Sequence, residues 1–180
     1  GRLVQEIHGQ PRIIYTSSTS VYGDVTGVVD ESTPIEPVTT SGQMVAQVEE
    51  RLRDELGKNT FVVRLGGLCG GGREPARYLS GRKNVQHPAA PINFVHRADV
   101  IGVIMGLVNT ETKGDTFNVV APIHPNRKAY YAARTELLGL TPPQFSDIPG
   151  SGKEVNSNKV MDVLDYAFIY PDPLEFPVTS

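Results

Sequence analysis

One cysteine, Cys69, stands alone among 180 residues, so no disulfide can form within the chain and a reducing compartment is the simpler expectation. Long apolar runs are missing as well. The longest, Val100 to Val108, is interrupted by Gly102 and Gly106 and is too short to span a bilayer. No basic segment followed by an apolar run opens the sequence, so there is no secretory signal pattern. Charge of one sign is scarcely in excess. A net charge of −3 and a pI near 5.8 give no electrostatic reason to expect nucleic acid or an anionic membrane as partner. His8, His87, His96 and His124 share no metal-ligand spacing, and no metal site is expected. What is present is ordinary globular composition, 39% hydrophobic and 21% charged, compatible with one domain of moderate size. The expectation is a cytoplasmic protein whose partner, if it has one, is a small molecule.

Short β-rich runs alternate with helical patterns, which argues for α/β with a mostly parallel sheet. The runs are Arg12-Ile13-Ile14-Tyr15-Thr16, Phe61-Val62-Val63-Arg64-Leu65, Ile92-Asn93-Phe94-Val95 and Thr116-Phe117-Asn118-Val119-Val120. Helical periodicity is clearest from Ser41 to Leu56, where Met44, Val48, Leu52 and Leu56 recur every fourth residue and Gly57 stops the pattern. Further helices are predicted over about 97–109, 126–138 and 157–164, and a short one over Arg2 to His8. The 97–109 helix is apolar on most sides, as expected of one packed between a sheet and a neighbour. Proline-rich stretches around 86–91, 141–149 and 171–177 read as loops or extended edges.

The most specific string is Tyr15-Thr16-Ser17-Ser18-Thr19-Ser20-Val21-Tyr22-Gly23-Asp24. A strand ending in several hydroxyls at the carboxyl edge of a parallel sheet puts donors where ligands of such folds bind. The string resembles the Ser-Ser-x-x-Val-Tyr-Gly element of extended short-chain dehydrogenases/reductases, the NAD-dependent epimerase/dehydratase type. Asp30-Glu31-Ser32-Thr33-Pro34, Val63-Arg64 followed by a glycine-rich loop, Asn93 to Val100, and Gly114-Asp115-Thr116-Phe117-Asn118-Val119 resemble further elements in the family's order. The resemblance implies a Rossmann-like, doubly wound parallel sheet whose N-terminal mononucleotide-binding half, roughly a hundred residues, is absent upstream. It also implies a division in which residues 1–72 and 92–121 form the later part of the Rossmann-like domain. Residues 73–91 and 122–180 then form an interleaved, small substrate-binding portion. A sheet edge left open in this way calls for an upstream segment or a second copy of the chain to cover it.

In the family a serine at the position of Ser18 bonds the reacting oxygen of the substrate. A tyrosine one connection later transfers the proton, and a lysine four residues on lowers that tyrosine's pKa. A free tyrosine titrates near 10, so acid–base work near neutrality needs such a charge. A four-residue spacing puts both groups on one helix face. The pattern laid on residues 37–45 places Ser41 at the tyrosine and Val45 at the lysine, and no Tyr-x-x-x-Lys occurs anywhere. Tyr22, beside the Ser18 loop, is the aromatic hydroxyl that could act as a surrogate acid, although no lysine is placed by the sequence to tune it.

The family's cofactor is NAD or NADP, held by a Gly-x-x-Gly-x-x-Gly turn that this sequence lacks. The run Gly66 to Gly72 fits neither that pattern nor Gly-x-Gly-x-x-Gly. It better resembles the connection that lines the nicotinamide and substrate. The resemblance makes Thr16, Ser17 and Gly66 the cofactor-contacting candidates, and Arg73, His96 and Arg97 the substrate-contacting ones. His96 has a plainer alternative, capping a strand and orienting the next helix, and so has Arg73, as part of a solvated basic face with Arg77 and Arg82. Asp99 reads as a cap or ion-pair partner near a helix start, and Cys69 as a structural thiol. Gly150-Ser151-Gly152-Lys153 is no nucleotide loop, because Glu154 stands where Ser or Thr is needed. Three functional readings follow: an atypical NAD(P)-binding protein with the Tyr-Lys chemistry lost, an active oxidoreductase or epimerase rewired around Ser18 and Tyr22, or a non-catalytic interaction module.

Overall fold

The computed structural model describes residues 12–178; the helix expected over Arg2 to His8 lies outside the described residues. Strand β1 (Ile13–Ser18) leads through a 3-10 turn (Thr19–Tyr22) to β2 (Gly27–Val29) and helix α1 (Thr40–Leu56). Then come β3 (Thr60–Leu65), β4 (Gly67–Cys69), α2 (Ala76–Leu79), β5 (Phe94–His96) and α3 (Arg97–Asn109). The chain continues through β6 (Thr116–Val119), α4 (Arg127–Leu137), β7 (Lys153–Val155) and α5 (Asn158–Leu164). The four expected strands and the four longer helices are all present. Strands β2, β4 and β7 were not anticipated: three residues leave too little alternation to read.

The main sheet is parallel, in the order β1-β3-β6, with Ser18 opposite Leu65 and Leu65 opposite Val119. Alternation along the strands separates its two faces. Phe61, Val63, Phe117 and Val119 pack with Val100, Val103 and Leu107 of α3 in one apolar core. Ser17, Arg64 and Asn118 lie on the other parity, and Ser17 and Arg64 bond Glu49 of α1. Helices α1 and α3 therefore cover opposite faces, as a doubly wound sheet requires. Arg12 closes the end of α3, donating to the carbonyls of Leu107 (3.0 Å) and Val108 (3.1 Å) with its guanidinium over Phe61.

Helix α1 does not bury the stripe its periodicity suggests. Met44 is 63% exposed and Val48 40%. The helix meets the interior through Gly42, Val45, Ala46 and Glu49 instead. Gly42 allows the approach, since a Cβ there would lie 3.3 Å from the Ser20 carbonyl oxygen. A second cluster joins Ala76, Ile92, Tyr130 and Tyr131, away from the main sheet. No helix among the described residues is long and apolar enough to cross a membrane.

Candidate functional site

Ser18 ends β1 half-buried, and its hydroxyl accepts from the Ser20 amide at 3.1 Å, capping the 3-10 turn. The turn closes on Gly23 at φ 65°, where any side chain would collide with the Glu36 carbonyl. Thr16 is exposed and shares a strand face with Ser18. Ser17 points the other way, and its hydroxyl donates to the buried Glu49 carboxylate.

Glu49 is the centre of a polar network under the sheet. Arg64 donates to it from Nε (3.1 Å) and Nη2 (2.7 Å), and from Nη1 to the Tyr22 hydroxyl at 2.8 Å. Tyr22 in turn donates to the Asn118 side-chain oxygen at 2.8 Å. Tyr22 is 1% exposed and its pKa is raised, burial outweighing the favourable Arg64 charge. The hydroxyl is thus engaged on both sides inside the core. An arginine in the middle of the apolar run Phe61 to Leu65 was the available sequence signal for this network: a buried guanidinium demands a buried carboxylate.

Ser41 lies exposed in the first turn of α1, its hydroxyl 3.3 Å from that of the N-cap Thr39. Val45 packs against the cluster of Val21, Tyr22, Val29, Val120 and Val155. Gly66 bonds the Val119 carbonyl at 3.1 Å, and a Cβ on it would come within 2.5 Å of the Asn93 carbonyl oxygen. Ser18 and Gly66 are therefore brought to the carboxyl ends of adjacent strands.

Arg73, His96 and Arg97 gather around the turn Gly70–Gly72, three glycines at positive φ. Gly70 and Arg73 exchange backbone hydrogen bonds, and the Arg97 guanidinium lies against Gly71. His96 is buried at 8% exposure, with its ring against Tyr170 and Phe176. Its Nδ1 accepts from the Ala98 amide at 3.2 Å and so caps α3, which leaves the proton on Nε2. Nε2 faces Gly70 and has no hydrogen-bond partner among the described residues. Burial holds the pKa of His96 below its ordinary value, the Asp99 charge opposing and Arg97 adding to the effect.

Asp99 is fully buried and accepts from the backbone of Ile169 (2.6 Å) and Tyr170 (3.2 Å), strapping the C-terminal segment across α3. Burial pushes the Cys69 thiol up to about 12, with Glu74 adding to the shift, which is the state of an inert packing thiol. A cavity of about 520 Å³ opens at the amino end of β6 beside Arg53, Asp115, Thr116 and Lys159, at the opposite end of the sheet from Ser18. Its cations already face Glu49 and Asp115. Among the described residues no group of three His, Cys, Asp or Glu side chains could hold a metal ion.

The fold built on this three-stranded parallel sheet has counterparts among solved structures. MoeE5 in complex with UDP-glucuronic acid and NAD matches with a TM-score of 0.73 at 20% identity, over 92% of this chain and 61% of that one. A putative NAD-dependent epimerase/dehydratase from Methylobacillus flagellatus matches with a TM-score of 0.72 at 23% identity, over 88% and 59%. The fold is that of the NAD-dependent epimerase/dehydratases, in part. In sequence the chain is 42% identical over 173 residues to Protein YeeZ of Escherichia coli strain K12, covering 95% of this chain. It spans 63% of the length of that relative and of its counterpart in E. coli O157:H7. No family model matches the sequence.

Proposed function

We propose that the protein to which this chain belongs is an NAD(P)-binding epimerase/dehydratase relative that has given up the Tyr-Lys proton relay and holds a small ligand, nucleotide-sugar-like, at the Ser18 pocket wall. Helix α1 carries this reading. Ser41 is too short and too weakly acidic for the tyrosine's role, and Val45 is built into an apolar cluster where the lysine's charge would be needed. Ser18 keeps its place at the carboxyl edge, where ligands of parallel α/β sheets bind.

The residues present fit only part of a dinucleotide. Thr16 and Gly66 offer an exposed hydroxyl and a side-chain-free backbone at adjacent strands, suited to the nicotinamide end. Ser17 does not fit, because its hydroxyl is committed to Glu49. The phosphate-binding turn is not in this sequence. When bound, the dinucleotide would supply hydride chemistry; what this chain supplies is the shape and hydrogen bonding around Ser18. A cytoplasmic setting suits the lone, buried Cys69.

The rewired-enzyme reading meets a geometric objection at Tyr22, whose hydroxyl is bonded to Arg64 and Asn118 inside the core. A titration of the full-length product with NADH and NADPH, followed by fluorescence and thermal stability, decides first. Binding supports the proposal, and absence of binding by both removes the two dinucleotide-binding readings. Turnover assays with nucleotide sugars then separate the remaining two: measurable epimerisation or dehydration removes the claim that the relay is lost.

A further inference from the structure

Lys153 enters the reading of the sequence only in a string that is no nucleotide loop, yet the fold puts it at the carboxyl edge of the main sheet. Its backbone is anchored on the side of the central strand. The Asn93 side chain donates to the Lys153 carbonyl at 2.8 Å and accepts from the Val155 amide at 2.8 Å, imitating a neighbouring strand. Asn93 itself receives the Gly67 amide at 2.8 Å and lies against Gly66. The Lys153 ammonium ends on the other side, donating to the Gly23 carbonyl at 2.5 Å. Gly23 closes the 3-10 turn that Ser18 opens: Ser18 accepts from the Ser20 amide, and the Ser20 carbonyl accepts from Gly23. At about 2 Å per residue along such a turn, the ammonium stands roughly 10 Å from Ser18. Lys153 also pairs with Gly27 of β2, so its ammonium stands at the carboxyl edge, between the Asn93 segment beside Gly66 and the turn that follows β1.

An ammonium has three donors, and one hydrogen bond uses one of them. Burial lowers the pKa of Lys153, with the Asp24 charge acting in the opposite direction, so the cation is only partly solvated and gains from an anionic partner. The positive charge that Val45 does not bring to this edge thus has a source on a different element.

We propose that Lys153 is the anion-anchoring residue of the Ser18 crevice, holding a phosphate or carboxylate group of the bound small molecule. The proposal rests on the reading of that crevice as a ligand site, but not on dinucleotide binding. Truncation of a charge-assisted contact of this kind weakens binding by about tenfold to a hundredfold.

The test uses the full-length product with inorganic pyrophosphate and malonate as phosphate and carboxylate probes. Acylation of individual lysines by acetic anhydride is followed by mass spectrometry, with the exposed Lys58 as internal reference. Protection of Lys153 relative to Lys58 by either probe is the expected result, and the more protective probe identifies the group. Unchanged Lys153 reactivity with both probes overturns the proposal. Thermal shifts by the effective probe should vanish in Lys153→Met and persist in Lys153→Arg. Equal probe-induced shifts in Lys153→Met and parent overturn it too. Should Lys153→Met fail to fold, the labelling experiment on the unmodified protein and the arginine variant still decide. Loss of NADH binding in the parent would sink the dinucleotide reading and leave this one standing.

Discussion

At Arg64 the guanidinium meets the Glu49 carboxylate from two nitrogens and the Tyr22 hydroxyl from a third, with Arg64 4% and Glu49 0% exposed. Removing one partner of such a pair strands the other charge without water. Arg64→Met is expected to cost about 3–5 kcal/mol, read from urea unfolding. A loss below about 1 kcal/mol, the range of a surface pair, would show that water reaches Glu49. His96 gives a pH signature. Its folded pKa is depressed by burial, so the unfolded chain binds the proton more readily. Stability from this group is present above the unfolded value, about 6.5, and is lost as pH falls toward the folded one. Asp99 and Arg97 are the charged groups acting on it, and Tyr170 and Phe176 close over the ring. His96→Asn keeps an N-cap acceptor for α3 without the titration. The acid-side loss of stability should flatten in that variant, and an unchanged pH profile would assign the loss to another group.

Among the elements, α1 illustrates how function-bearing positions can change while a helix stays intact. Thr39 caps it by accepting from the Gly42 amide at 3.1 Å, and Gly57 ends it. Thr39→Ala is expected to cost about 1 kcal/mol. The turn after β3 is more demanding. A methyl group on Gly66 would press on the Asn93 carbonyl and the Val120 side chain, which belong to different elements and cannot both retreat. Gly66→Ala is expected to cost about 1–3 kcal/mol through overpacking, with the melting temperature as the measurement. A neutral result would mean that β5 slides freely relative to β3. Strand β6 is protected on its outer side by side chains rather than by a strand: Glu31 accepts from the Asn118 amide at 2.6 Å, and Ser157 from that of Val120 at 2.9 Å. The Asp-Glu-Ser-Thr-Pro string thus has a structural role, which lies far from Ser18 in function although close in sequence.

For the molecule as a whole, the outer edge of β1 is the open question of assembly. No described strand pairs with it. Half-exposed apolar side chains flank the sheet on both faces, Met44 and Val48 on α1 and Ile101, Met105 and Val108 on α3. A polypeptide of these 180 residues is expected to self-associate through this region in sedimentation, as open parallel edges do; a well-behaved monomer would contradict that. The same polypeptide should bind NADH weakly or not at all, since its sequence has no turn to receive the pyrophosphate. Submillimolar affinity would refute this.

The sequence by itself determined the α/β class, the main strands and helices, and the hydroxyl-bearing end of β1. These are local matters: apolar periodicity, turn glycines and a strand followed by Ser and Thr are decided within a few residues of each other. The neutral character of Ser41 and Val45 was equally legible. Tertiary structure alone decided which way each group faces and what it meets. Tyr22 reads as a candidate acid beside Ser18 until the sheet brings Arg64 and Asn118 to its hydroxyl, from positions 42 and 96 residues away. The apolar stripe of α1 suggests a buried face until Glu49, held by Arg64, takes the interior and leaves Met44 outside. The string Gly150 to Lys153 does not show where Lys153 ends, because the contact of its ammonium with Gly23 spans 130 residues. A side chain's neighbours in space follow from which strands lie adjacent, and that ordering is written in no single stretch of the chain.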